Sequence, residues 1–169
     1  EGTLYVGGWF TQAGATAANH VAAWNGTAWS ALGVGVKPEQ FFSEPPVFAL
    51  TVSDDGLYVG GRFVNAGNQA IGLLARWDGA NWSAVGEGIS NDGYDYVTSL
   101  TAAATGGVYT GGAYRVIGNQ RTDNIAHWNG VEWRALGGGL MRGEYGDSPA
   151  TPYAIVVDGA GRVYAGGEF

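Results

Sequence analysis

The chain has no cysteine, one lysine (Lys37), one methionine (Met141) and only 5 prolines in 169 residues. Without cysteine there are no disulfides, no thiolate metal ligands and no cysteine nucleophile. The scarcity of lysine accompanies a net charge of -7. A surface of that sign repels phosphate backbones and anionic lipid, so no nucleic-acid partner is expected. No apolar run approaches the roughly 18 residues of a membrane helix, so no membrane insertion is expected. Glycine, by contrast, is abundant at 31 positions, without the Gly-X-Y triplet of collagen. Together with Trp, Tyr, Val and Thr, it makes a composition of short strands joined by tight turns.

An internal repeat organises the chain. Leu4-Tyr5-Val6-Gly7-Gly8 returns as Leu57-Tyr58-Val59-Gly60-Gly61, Val108-Tyr109-Thr110-Gly111-Gly112 and Val163-Tyr164-Ala165-Gly166-Gly167. The spacings are 57 − 4 = 53, 108 − 57 = 51 and 163 − 108 = 55. Each of the first three copies is followed by a Trp and a turn, at Trp24-Asn25-Gly26, Trp77-Asp78-Gly79 and Trp128-Asn129-Gly130. A further Trp comes five residues later, at Trp29, Trp82 and Trp133, which leaves only Trp9 outside the pattern.

Each copy reads as four short strands. In the most complete one, Val47 to Val52 is nearly continuous in apolar residues and suits a strand buried on both faces. Asp54-Asp55-Gly56 turns into a second strand, Leu57 to Phe63. After a longer loop comes Leu74 to Trp77, then a type I′ hairpin at Asp78-Gly79, then Trp82 to Val85. Such a sheet cannot bury both faces alone, and stacking of neighbours around an axis predicts an all-β propeller. The paired glycines are expected to admit a bulge or a closely packed ring, a repeat Trp above all. On this reading Trp24, Trp77 and Trp128 are core between neighbouring sheets, rather than rings for stacking carbohydrate.

These residues resemble the kelch repeat, in which an apolar strand closed by a double glycine is followed by an aromatic pair across a hairpin. The match runs over essentially the whole chain. Its finer pattern resembles the repeats of large exported bacterial propellers and fungal cortical polarity marker proteins. The resemblance implies blades of four-stranded antiparallel meander at an extracellular or cell-surface location. Kelch-like propellers include adhesion and scaffold modules as well as copper oxidases. The copper centre of those oxidases needs a Cys-linked Tyr and two His, and this chain has no cysteine. Neither copper nor any other cofactor is expected.

The strands expected number 3 + 4 + 4 + 2 = 13, divided into a partial blade over 1–36, full blades over 47–88 and 97–139, and a partial blade over 152–169. A closed ring takes roughly 4 to 8 blades. The chain is therefore expected to be either an excerpt of a longer propeller or a subunit that completes its partial blades with further copies of itself.

Loop length divides the faces. The turns between first and second strands and between third and fourth are short. Second-to-third loops and inter-blade connections are long and share the opposite face, where binding is expected. Their contents differ between copies. One connection carries Phe41, Phe42 and Glu44, the next Asp92, Tyr94, Asp95 and Tyr96, and the third Arg142, Glu144, Tyr145 and Asp147. Arg121 lies in the long loop before Asn124. Aromatics beside carboxylates suit a glycan or a protein ligand. They suit equally the plugging of gaps between blades. Asn91-Asp92-Gly93-Tyr94-Asp95 has oxygen ligands around a glycine but lacks a full calcium-loop pattern, so no metal is expected. His20 and His127 occupy different repeat positions, His20 reading as a solvated loop residue. No catalytic residue is assigned. The leading expectation is a non-catalytic binding module, ahead of an assembling structural subunit and a carbohydrate-active enzyme.

Overall fold

The computed structural model describes residues 2–38, 46–89, 93–142 and 148–169. The chain is all-β. Every regular element among the described residues is a strand, and every strand pairing is antiparallel. No helix among them is long and apolar enough to cross a membrane.

The repeat copies form successive sheets. The first holds β1 (Leu4–Gly7), β2 (Val21–Trp24) and β3 (Trp29–Ala31), paired in chain order. The second holds β4 (Val47–Ser53), β5 (Gly56–Gly61), β6 (Leu74–Trp77) and β7 (Trp82–Ala84), again in chain order. The third repeats this with β8 (Tyr96–Ala102), β9 (Val108–Ala113), β10 (Ile125–Trp128) and β11 (Trp133–Ala135). The last pairs β12 (Thr151–Val157) with β13 (Val163–Glu168). No barrel or ring closes among the described residues.

Register repeats with the sequence. Leu4, Leu57 and Val108 lie opposite Trp24, Trp77 and Trp128. A bulge interrupts β4, β8 and β12 at the same place, between Val47 and Ala49, Val97 and Ser99, and Pro152 and Ala154. The double glycine explains both the bulge and the packing. A Cβ on Gly61, Gly112 or Gly167 would collide with the carbonyl of Pro46, Tyr96 or Thr151 at the bulge of the same sheet. A Cβ on Gly60 would lie 2.5 Å from Val97 of the next sheet. Gly7 meets Val47 in the same way, and Gly111 meets Pro152 at 2.7 Å. The first glycine thus admits an aliphatic side chain from the following copy, and the expected tryptophan is not its neighbour. The tryptophans press on loop glycines instead, as Trp82 does on Gly67 at 3.0 Å.

Consecutive sheets share apolar layers. Val21, Leu32 and Val36 pack with Val47, Leu57, Val59 and Trp82. Tyr58, Leu74, Val85 and Ile89 pack with Val97, Val108, Ile117 and Trp133. First strands of neighbouring copies also touch. Ala102 donates its N–H to Thr51 Oγ1 at 3.1 Å, and Thr98 Oγ1 donates to the Pro152 carbonyl.

Three expectations change. The second strand, not the first, is the most buried, because β5 has β4 and β6 beside it and neighbouring sheets on both faces. The strand β4 is an edge, and its Phe48 and Val52 are exposed. The strand expected over Leu57 to Phe63 breaks at Arg62. Phe63–Ala66 pairs instead with Val36–Pro38 of the preceding connection, and the corresponding Ile117 bridges Ile89. The long loops are therefore stitched to the connections beside them. Finally, the third-to-fourth turn is not a type I′ hairpin. Only Gly79 has positive φ in the four-residue loop, and Asp78 Oδ1 accepts from the N–H groups of Ala80 and Asn81 at 2.8 and 2.7 Å. Asn25 and Asn129 close their loops identically.

Candidate binding face

The residues singled out as ligand contacts fall into three groups. Phe41, Phe42, Glu44, Asp92, Glu144, Tyr145 and Asp147 lie outside the described residues. Tyr94, Asp95 and Tyr96 lie at the entry to β8. Arg121 lies apart from them, in the short hairpin Val116–Ile117 with Gln120–Arg121, where it pairs with Asp123 at 2.8 Å.

A cluster forms where the connection enters the third sheet. Arg62 is 7% exposed and ends the second strand of the preceding sheet. Its Nη2 donates to the carbonyl of Gly93 at 2.8 Å, and its guanidinium stands 5.7 Å from the centre of the Tyr96 ring. Phe48 meets Tyr96 edge-on, with ring centres 6.1 Å apart. Tyr94 extends outward and is 77% exposed. The position after the double glycine holds Trp9, Arg62, Ala113 and Glu168 in the four copies, so only the second carries an arginine. That difference was visible in the sequence, but its reach to residue 93 was not. Arg62 and Phe48 are the residues that sequence reasoning missed. Chemically, the cluster offers an exposed phenol, an aromatic edge and a held cation (the makings of a contact surface).

The histidines are elsewhere, and His20 is not solvated. His20 is buried and adopts φ 66°, the left-handed conformation shared by Leu73 and Asn124 at the same repeat position. In each copy this residue closes the long loop. His20, Leu73 and Asn124 donate their N–H groups to Phe10, Phe63 and Tyr114 at 2.8, 3.1 and 2.8 Å. Burial lowers the pKa of His20, against the raising effect of a hydrogen bond to the Gly8 backbone. His127 stacks on Tyr109 with centres 4.3 Å apart. Its pKa is lowered by burial and then by the charge of Arg134, which lies opposite it in the sheet.

The acids that shift go down. Asp78 is lowered by the backbone N–H groups of Asn81 and Ala80, and Asp158 by the backbone and side chain of Arg162. Asp55 instead joins Tyr58 and Arg76, accepting from them at 2.8 and 2.7 Å, and burial pushes Tyr58 up to about 12. Among the described residues no three of His, Cys, Asp and Glu gather as metal ligands.

Two further hollows sit between neighbouring copies, walled by Trp77 and Trp128. Compared with protein-family models, curated proteins and solved structures, the chain matches none.

Proposed function

We propose that the chain is a run of kelch-like propeller blades acting as a non-catalytic extracellular or cell-surface binding module. Support for the propeller comes from meander sheets packed in chain order, with first strands of neighbouring copies in contact. Shared apolar layers between successive sheets agree with blades stacked about an axis. The observation that carries the binding reading is the Arg62, Phe48, Tyr96 and Tyr94 cluster. A buried cation committed to a loop carbonyl fixes the backbone from which an exposed Tyr projects, as a preformed contact requires. The ligand is a glycan or a protein. The test compares the chain with Tyr94→Ala/Tyr96→Ala on panels of soluble polysaccharides and purified cell-surface proteins. Binding that disappears in the variant at unchanged melting temperature supports the reading. A ligand retained by the variant, or none at all, sinks it.

A further inference from the structure

Two clefts recur at one place in consecutive copies. The first, about 250 Å³, lies between the turn Gly33–Val34 and the next copy's Gly67-Asn68-Gln69 and Trp77. The second, about 240 Å³, lies between Gly86–Glu87 and Gly118-Asn119-Gln120 with Trp128. The correspondence is residue by residue. Gly67, Asn68, Gln69 and Trp77 each recur 51 positions later (118 − 67 = 51), and the turns recur 53 positions later (86 − 33 = 53).

Within each cleft a half-buried indole forms an apolar wall, while its partner Trp82 or Trp133 is 4% or 5% exposed and serves the core. The rings of each pair tilt by about 50° at 5.3 and 5.2 Å, so the outer ring does not lie flat on the inner one. Exposed amides rim the opening. Gln69 Nε2 donates to the Trp82 carbonyl at 3.0 Å, and Asn119 Nδ2 donates to Glu87 Oε2 at 2.5 Å. Glycine keeps the wall accessible, for a Cβ on Gly86 would stand 2.7 Å from the six-membered ring of Trp128.

We propose that these clefts are paired sites for single neutral sugar rings of a repeating polysaccharide. The indole takes the C–H face of the sugar, and the amides and the Glu87 carboxylate take its hydroxyls. No Lys, Arg or His lines either cleft, so anionic sugars are disfavoured. The volume is below the roughly 300 Å³ at which drug-sized sites begin, which suits one ring. Two sites in register reward a ligand that repeats, because the second contact forms at high effective concentration. The second cleft carries Glu87 and Glu132 where the first has Val34 and Asn81, so it binds more tightly. The first copy has Gly14-Ala15-Thr16 in place of the Gly-Asn-Gln segment. Trp24 is therefore an internal control.

The inference rests on the binding-module reading but concerns different residues from the Tyr94 cluster. The experiment is a titration of the whole chain with methyl glycosides of glucose, galactose, mannose and N-acetylglucosamine, read at the tryptophan indole N–H resonances. At least one probe is expected to shift Trp77 and Trp128 saturably and to leave Trp24 unmoved. Glu87→Gln/Asn119→Ala changes only exposed side chains. It is expected to weaken the Trp128 site about tenfold and leave the Trp77 site unchanged. Beads displaying the active sugar should bind about 100-fold more tightly than the free glycoside. Indoles that stay silent with all four probes overturn the proposal, as does a Trp128 shift that the double variant leaves intact. Neither result bears on loss of ligand in Tyr94→Ala/Tyr96→Ala, so the two readings fail separately.

Discussion

The indole Nε1–H of Trp82 donates to the backbone carbonyl of Leu32, 50 residues earlier, at 2.9 Å. Trp133 makes the same bond to Val85 at 3.1 Å. Each of these tryptophans thus ties its sheet to the preceding one by a buried hydrogen bond as well as by packing. Replacing Trp82 by Phe keeps most of the ring but removes one of two donors to the Leu32 carbonyl, which retains the Gly35 N–H, and is expected to cost about 0.5–1.5 kcal/mol. Trp29→Phe should cost less, because Trp29 is only half buried. Chemical denaturation of the two variants measures the difference.

The first glycine of each pair is a site of sheet-on-sheet contact. Gly60→Ala should destabilise by about 1–3 kcal/mol through overpacking against Val97 and Leu100. Combining it with Val97→Ala should recover part of that loss, and a double-mutant cycle reads the coupling. Gly166→Ala meets no neighbour and is expected to stay within about 0.5 kcal/mol of the parent. Equal effects at Gly60 and Gly166 would contradict the packing described.

Stability should depend on pH through the histidines. The pKa of both His20 and His127 is lowered on folding, so the unfolded chain binds protons more readily. Their contribution is complete above the unfolded value of about 6.5 and is lost as pH falls from there through the folded values. His127→Phe retains a ring against Tyr109 and removes the titration. Denaturation midpoints of this variant should vary less between pH 7 and pH 5 than those of the parent. An unchanged slope would show that His127 contributes nothing to it.

Arg62 positions the Tyr94 loop rather than the sheet that bears it. Arg62→Met should release the Gly93 carbonyl and cost about 1.5–3 kcal/mol, the range for hydrogen bonds to charged groups. Amide exchange at Tyr94 to Tyr96 should accelerate more than at Val108 to Gly112. Uniform acceleration along the chain would mean that Arg62 acts on the sheets themselves.

Much of this protein lies in local spacing. Four registered copies of an apolar strand closed by two glycines, the first three followed by a tryptophan pair across an Asx-Gly turn, were enough to place the thirteen strands of the meander. Period-two pairing and turn chemistry act over a few residues, so both are written in the residues themselves. Tertiary structure alone decided what the repeat residues touch. Gly60 admits Val97 and not a tryptophan, and the indole of Trp82 reaches a carbonyl 50 residues back. His20 is driven into a buried left-handed corner, and Arg62 reaches forward to residue 93. The paired clefts exist only where one copy's turn meets the next copy's hairpin. Contacts between copies depend on how sheets stack, and that is fixed by the shape of the whole assembled layer rather than by spacing within any one copy.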